Sequence, residues 1–336
     1  MQQASCRSAK ISIVIPNYDQ SRTLPRCLEA ALNCRYPDFE VIVVDDKSRD
    51  SSLDVIRRYP VRLLRHERNQ GPGPARNTGA RQAAGQILLF TDADVCLRED
   101  TLQKVAETFL SKPDIQAVAG MPEKACCYRN LSSIHFNRRV YFNYLRLPDY
   151  IDILYGSISA VKKEAFWKIG GFSQGFKGVE DNQAGLKLRQ ANFKIYHNKA
   201  LKISHCKKIS FLALLKNDFR RTVVRVKLLL GRKMLKNVLK QKRFISSPPG
   251  QMLSPFFSFL FFVFTAASFY NPLFRQLALA AFLAFALLNL AYLKFSLEEE
   301  GLLFLIRITA LLLIDMLAVW LALIWGGLVF ASGARD

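Results

Sequence analysis

None of the seven cysteines is spaced C-x-x-C, and the vicinal pair Cys126-Cys127 is a poor disulfide candidate. An odd count without framework spacing excludes a disulfide-stapled scaffold and suits a reducing cytosol. Acidic residues are scarce: 27 Asp+Glu stand against 48 Lys+Arg, a net charge of +21. Internal repeats and low-complexity stretches are missing. No nucleic-acid-reading motif accompanies the charge, so charge alone does not make a nucleic-acid binder. Met1 to Lys10 is polar, which predicts no secretory signal peptide.

Charge is also missing from one end. The 84 residues from 253 onward hold four basic and five acidic groups, so residues 1–252 hold 44 basic and 22 acidic ones. The densest basic stretch, 199–243, has fifteen Lys/Arg opposed only by Asp218. A basic patch of this kind meets nucleic acid, an acidic substrate or anionic lipid. Lipid is favoured, because the stretch leads directly into an apolar tail. Phe211, Leu215, Phe219, Val223, Val226 and Leu230 recur at three- and four-residue steps among Arg and Lys. That predicts an amphipathic helix of the membrane-interface type, or a surface helix packed on its own domain, broken at Pro248-Pro249-Gly250. Three apolar segments follow, Leu253–Tyr270, Leu277–Leu293 and Leu302–Phe330, with turns at Asn271-Pro272 and from Lys294 to Gly301. Only the third comfortably exceeds the ~20 residues of a spanning helix. The expectation is two or three spans, with Arg307 and Asp315 of the third facing protein or water.

The first part alternates strand and helix. Strands are predicted at Ile11–Ile15, Glu40–Val44, Val61–Arg65, Ile87–Phe90, Ile115–Gly120 and Gly156–Val161. Helices are predicted at Arg22–Leu32, Leu53–Tyr59, Pro74–Ala84, Thr101–Leu110, Lys163–Ile169 and Glu180–Ala191. The stretch 121–150 reads as an aromatic flap or short helical insert. Lys194–Tyr196 and Leu201–Ser204 read as edge strands. This alternation implies a mostly parallel α/β sheet flanked by helices.

Chemistry concentrates past the strand ends, where open α/β sheets bind ligands. Asp45-Asp46 follow the second strand and Thr91-Asp92-Ala93-Asp94 the fourth. Two aspartates one residue apart offer hard oxygens to a divalent cation that holds a diphosphate. Gly71-Pro72-Gly73-Pro74 leads into a helix bearing Arg76 and Asn77 on its first turn. Free N–H groups and a cation there suit phosphate or ribose, although the glycines equally serve a plain turn.

Ile13-Val14-Ile15-Pro16-Asn17-Tyr18, Val43-Val44-Asp45-Asp46, Gly71 to Asn77, Thr91 to Asp94, Gly170-Gly171-Phe172 and Glu180-Asp181 follow one another in this order. Over residues 10–205 this resembles the family 2 glycosyltransferases, with the A-type nucleotide-diphospho-sugar fold. The resemblance implies a nucleobase flanked by Pro16 and Tyr18 and read by Asp46, while Asp45 caps the turn. It implies Asp94 on Mg²⁺ or Mn²⁺, Asp92 on the ribose or metal shell, and Asp181 as general base. Asp181 follows a glycine-flanked segment, 175–178, and matters less if the acceptor is an ionised phosphate. His205 is either a last metal or diphosphate contact or a plain surface histidine. The processive synthases of that family carry Q-x-x-R-W after the acidic pair. Here Leu188 to Phe193 contains no tryptophan, which favours transfer of single sugars.

The expected organisation is a cytosolic transferase domain over 1–208, a basic interface helix and linker over 209–250, and membrane helices over 251–332. The expected donor is UDP- or GDP-linked and the acceptor lipid-linked, at the cytoplasmic face of the cell inner membrane beside anionic lipid. The positive-inside bias gives the orientation. The rivals are a transferase building extracellular polysaccharide repeats and a non-catalytic membrane scaffold.

Overall fold

The β-branched runs form strands because each must bury both faces between helices. In the computed structural model, which describes residues 9–173, 179–231 and 252–332, they are β1 (Ile11–Asn17), β2 (Phe39–Asp45), β3 (Arg62–Arg65) and β4 (Ile87–Thr91). β1 lies between β2 and β4, and β2 carries β3, all in parallel register. The helices between them are α1 (Leu24–Leu32), α2 (Ser52–Ile56) and α3 (Pro72–Gln82). After β4 come β5 (Val95–Cys96), α4 (Thr101–Ser111), β6 (Ala117–Pro122), α5 (Leu131–Leu145), β7 (Tyr150–Ile151), β8 (Ile158–Lys162), α6 (Lys163–Lys168), α7 (Glu180–Gln190) and β9 (Ile195–His205). The sheet order is β3-β2-β1-β4-β8-β6-β9-β5, with β7 on β9. It is a mixed, mostly parallel sheet in which β8 runs antiparallel to both β4 and β6.

That reversal positions the site. An antiparallel β8 brings its N-terminal end, with Gly156 and Ser157 just before it, to the C-terminal end of β4, where Thr91 pairs with Ile158. The core beneath is Ile11, Ile13, Ile15, Leu24, Leu28, Leu89, Leu102, Val105, Phe109 and Ile158, all fully or nearly fully buried. Gly79 of α3 is required by close approach, because a Cβ there would lie 2.4 Å from Val14 Cγ1.

The two expected edge strands after Lys194 are one eleven-residue strand, β9, lying inside the sheet. Its polar middle, Asn198-Lys199, reads as a break in sequence. Instead a register shift opposite Ala119/Met121 absorbs it, and the Asn198 side chain donates to Thr108 Oγ1 (2.8 Å) and accepts from Ala200 N–H (2.9 Å).

The chain divides into two compact units, residues 1–128 with 144–208, and residues 129–143 with 209–336. The second unit contains most of α5, then α8 (Phe211–Gly231), α9 (Ser254–Ala267), α10 (Leu273–Leu288), α11 (Leu290–Glu300) and α12 (Leu302–Ala331). The aromatic stretch 121–150 is therefore mainly a helix. Its Phe142 packs with Tyr292 and Phe295. The expected turn from Lys294 to Gly301 is instead helix α11, carrying a Lys294–Glu298 pair at one-turn spacing (3.8 Å) and ending at Gly301 with φ +82°. α10 and α11 meet at Asn289 with a 74° bend. Among the described residues only α12 is long and apolar enough to cross a membrane alone, with mean hydropathy 2.4 and 28% of its most apolar window buried.

Asp315 of α12 is fully buried and accepts from Arg139 of α5, which also binds Asp218 of α8. The side of α8 that is buried carries Leu214, Asp218 and Thr222, while the apolar positions from Phe211 to Leu230 remain partly or fully exposed. The continuation of the basic stretch over 232–251, with its Pro-Pro-Gly break, lies outside the described residues, as do Met1 to Ser8.

Within the first unit, His197 of β9 is 1% exposed and packs edge-on against Tyr144 (5.8 Å). Burial, reinforced by the charge of Lys199, lowers its pKa from 6.5 to about 4. Below pH ~6.5 the unfolded chain takes up a proton that the folded chain refuses. Stability should therefore fall as pH drops from ~6.5 to ~4, by about 3 kcal/mol in total. Melting temperatures of the detergent-solubilised chain across this range should show the slope, and His197→Phe should flatten it.

Candidate active site

Arg76 stands on the first turn of α3, fixed there by Gly71 (φ +95°) and Pro72 at the helix start. It is 3% exposed. Nη2 donates to Asp92 Oδ1 at 2.5 Å and Nη1 to Glu180 Oε1 at 2.8 Å. One guanidinium thus joins the D-x-D segment after β4 to the acidic pair that opens α7. The cation expected on phosphate or ribose is held instead by two protein carboxylates. Burial opposes ionised Asp92, but Arg76 and the Ser157 hydroxyl (2.8 Å from Oδ2) outweigh it and hold the carboxyl below its ordinary value.

The two acidic residues of α7 are in different positions. Glu180 is 5% exposed and closed onto Arg76. Asp181 is half-buried, with Oδ2 receiving the Gly156 N–H at 3.3 Å. Gly156 is tightly enclosed: a Cβ there would lie 3.2 Å from Asp181 Oδ2 and 3.3 Å from Arg76 Nη2. The preceding segment 174–178 lies outside the described residues.

Asp94 is on the opposite side of the D-x-D. Its side chain is 16% exposed, with Lys207 Nζ 3.5 Å from Oδ2. Pairing of β5 with β9 sets Val95 beside His205, and Cys206 N–H donates to Asp94 O at 2.7 Å. His205 Nε2 lies 3.3 Å from Ser157 Oγ and 3.5 Å from the Tyr155 hydroxyl. Asp92, Asp94, Ser157, Asp181 and His205 are therefore linked by one connected set of contacts.

Asn77 is clamped elsewhere. Its side chain donates to Phe172 O and accepts from Phe172 N–H, both at 2.9 Å, so it holds the Gly170-Gly171-Phe172 turn. Asp46 is 2% exposed and braces the glycine loop: its oxygens accept from Gln70 N–H (2.9 Å), Gly71 N–H (2.7 Å) and His66 Nδ1 (2.7 Å). Asp45 accepts from Ser48 N–H at 3.3 Å, the expected turn cap. Pro16 and Tyr18 remain at the mouth of β1, where Arg49 donates to the Tyr18 hydroxyl.

Residues the sequence reading passed over are Glu180 as the partner of Arg76, together with Gly156, Ser157, Tyr155, His66 and Arg49. Ser157 carried a signal only through strand direction: once β8 is antiparallel, its first residues must meet the end of β4.

Among the described residues no group of three His, Cys, Asp or Glu side chains is arranged to hold a metal alone. Asp94 with His205 nevertheless fits a divalent cation that keeps waters and takes its other oxygens from a diphosphate.

A family model described as Glycosyl transferase family 2 matches residues 12–170. Over those residues the chain is similar to this family. An uncharacterized glycosyltransferase of Haemophilus influenzae is 32% identical over 186 residues, 54% of this chain and 62% of its own length. A poly(ribitol-phosphate) beta-glucosyltransferase of Bacillus spizizenii is 40% identical over 101 residues, 28% of this chain and 16% of its own. The chain thus spans less than two thirds of the length of these relatives. Among solved structures, mannosyltransferase PcManGT from Pyrobaculum calidifontis, in complex with GDP-Man and Mn²⁺, superposes with TM-score 0.60 at 19% identity, covering 97% of this chain and 88% of that one. At that identity the likeness shows the fold.

Removing one partner of a buried ion pair leaves an uncompensated charge, at about 3–5 kcal/mol. Arg76→Ala should destabilise the protein by about that much, measured by chemical unfolding. Arg76→Lys should recover little, because one ammonium cannot reproduce the forked contact with two carboxylates.

Proposed function

We propose that this glycosyltransferase is anchored in the inner membrane and moves a single sugar, with inversion, from a UDP- or GDP-sugar to a lipid-linked acceptor on the cytoplasmic side. The observation that carries the reading is the Arg76 bridge. It engages Asp92 and Glu180, so the other acid of each motif, Asp94 and Asp181, lies outside its two hydrogen bonds.

In this reading the nucleobase enters between Pro16 and Tyr18, with Asp46 shaping the pocket wall through Gly71. Asp94 and His205 would hold Mg²⁺ or Mn²⁺, which would supply positive charge for the departing diphosphate. Lys207 adds a mobile cation on the same side. Asp92, fixed by Arg76 and Ser157, meets the ribose or outer metal shell. Asp181 accepts the acceptor hydroxyl's proton as that oxygen attacks the anomeric carbon. The Gly156 N–H steadies its carboxylate.

The membrane part rests on α12 and on charge. Little of the α12 window is buried, so its apolar surface suits lipid. The basic stretch 199–243 would hold the site against anionic head groups, at ~1 kcal/mol per Lys or Arg near the surface. The mannosyltransferase named above was captured with GDP-Man and Mn²⁺, which supports this donor class.

The test is a panel of nucleotide-sugars with Mn²⁺ or Mg²⁺ and membrane lipid extract, scoring nucleoside diphosphate release and labelled lipid. Metal-dependent transfer from one donor, abolished in Asp94→Ala, is the expected result. Asp181→Asn should lower kcat about 10²–10⁴-fold for a hydroxyl acceptor and far less for a phosphate acceptor. Binding and turnover absent with every donor would favour the scaffold.

A further inference from the structure

Three thiols converge beside the D-x-D segment although nothing in the transfer chemistry uses them. Cys96 Sγ and Cys206 Sγ are 2.8 Å apart, and Cys127 Sγ is 3.7 Å from Cys206 Sγ. The arrangement is built. Cys96 is on β5, Cys206 follows the end of β9, and the β5–β9 pairing holds them together. The Tyr128 hydroxyl donates to Cys206 O at 3.2 Å and so anchors the Cys127 segment against the same strand end. Access is graded: Cys206 is buried, Cys96 half-buried and Cys127 exposed.

We propose that Cys96 and Cys206 form a reversible thiol–disulfide site for small disulfides, with Cys127 as its exit to solvent. A disulfide needs sulfurs ~2.05 Å apart, a short contraction from the observed separation. In the first step Cys96 sulfur attacks a small disulfide, RSSR. The reagent's S–S bond breaks, one RS⁻ leaves and takes a proton, and a mixed disulfide remains on Cys96. Cys206, losing its proton to solvent, then attacks Cys96 Sγ, forming the bridge and displacing a second RSH. Two protein thiols lose two electrons and two protons, and one RSSR becomes two RSH. In the return step Cys127 attacks Cys206 Sγ, frees the Cys96 thiol and carries the bridge to the surface, where a small thiol reduces it. In a reducing compartment such a bridge is transient and regulatory rather than structural.

The bridge would cross-link the two backbones that carry Asp94 and His205. It would fix their spacing and weaken uptake of a metal–diphosphate between them. This consequence rests on the donor reading; the bridge itself does not.

The full chain in detergent should be treated with oxidised glutathione and mapped by non-reducing peptide mass spectrometry. The expected product is a Cys96–Cys206 bridge with no retained glutathione. Cys206→Ser should stop at a glutathione adduct on Cys96. In Cys96→Ser, which serves if the first variant does not fold, buried Cys206 should take none. Cys127→Ser should form the bridge but be re-reduced by glutathione about tenfold more slowly. A stable adduct on Cys96 of the unmodified chain overturns the proposal, as does a product confined to Cys126 and Cys127. Unchanged re-reduction in Cys127→Ser removes the exit. Oxidised protein should bind Mn²⁺–nucleoside diphosphate about tenfold more weakly. Equal affinity with the bridge formed overturns the coupling and leaves the thiol chemistry standing.

Discussion

The candidate active site depends on one buried cation. Arg76 donates to carboxylates from the end of β4 and the start of α7, and Glu180 is nearly as buried as the cation that holds it. Burying ionised groups is favourable only when their lone pairs and protons are closed by hydrogen bonds. Arg76 supplies two of these, Ser157 a third, and through Ser157 the contacts run on to His205 and Tyr155. Arginine suits the position because its planar fork addresses two partners at fixed angles. The result is a pre-organised acidic surface in which Asp94 and Asp181 are the carboxylates that Arg76 does not hold.

The strands and helices of the first hundred residues were legible because each buried strand is a short β-branched run closed by turn residues. The D-x-D, the acidic pair and the glycine loop were legible as chemistry placed past strand ends. Strand direction was not. The antiparallel β8 places Ser157 beside Asp92, and no periodicity encodes direction. Nor were the roles of Arg76 and Asn77 legible, since charge and amide chemistry fit a nucleotide as well as they fit a neighbouring carboxylate or a turn. β9 was read as two pieces because Asn198-Lys199 looks like a turn. Its side chains satisfy the backbone locally, so the strand continues through it.

The second unit shows a different limit. Hydropathy located its apolar helices, but not which residues of α8 are buried. The apolar stripe from Phe211 to Leu230 remains partly exposed while Leu214, Asp218 and Thr222 turn inward. Asp218 meets Arg139, which also meets Asp315, so the buried carboxylate of α8 is paired. Likewise α11 continues as helix where a charge cluster suggested a loop, since Lys294 and the glutamates stand on its exposed side.

The same triad bears on how the chain is made. Asp315 lies midway along a mostly apolar helix that also carries Arg307, and a carboxylate at a bilayer centre costs ~2.5–3.5 kcal/mol by insertion scales. Its partner, Arg139, is synthesised far earlier, and Asp218 between the two. On the proposed membrane reading, entry of α12 into lipid would draw on side chains synthesised before it. On that reading, a chain lacking Arg139 would present Asp315 to lipid without its cation.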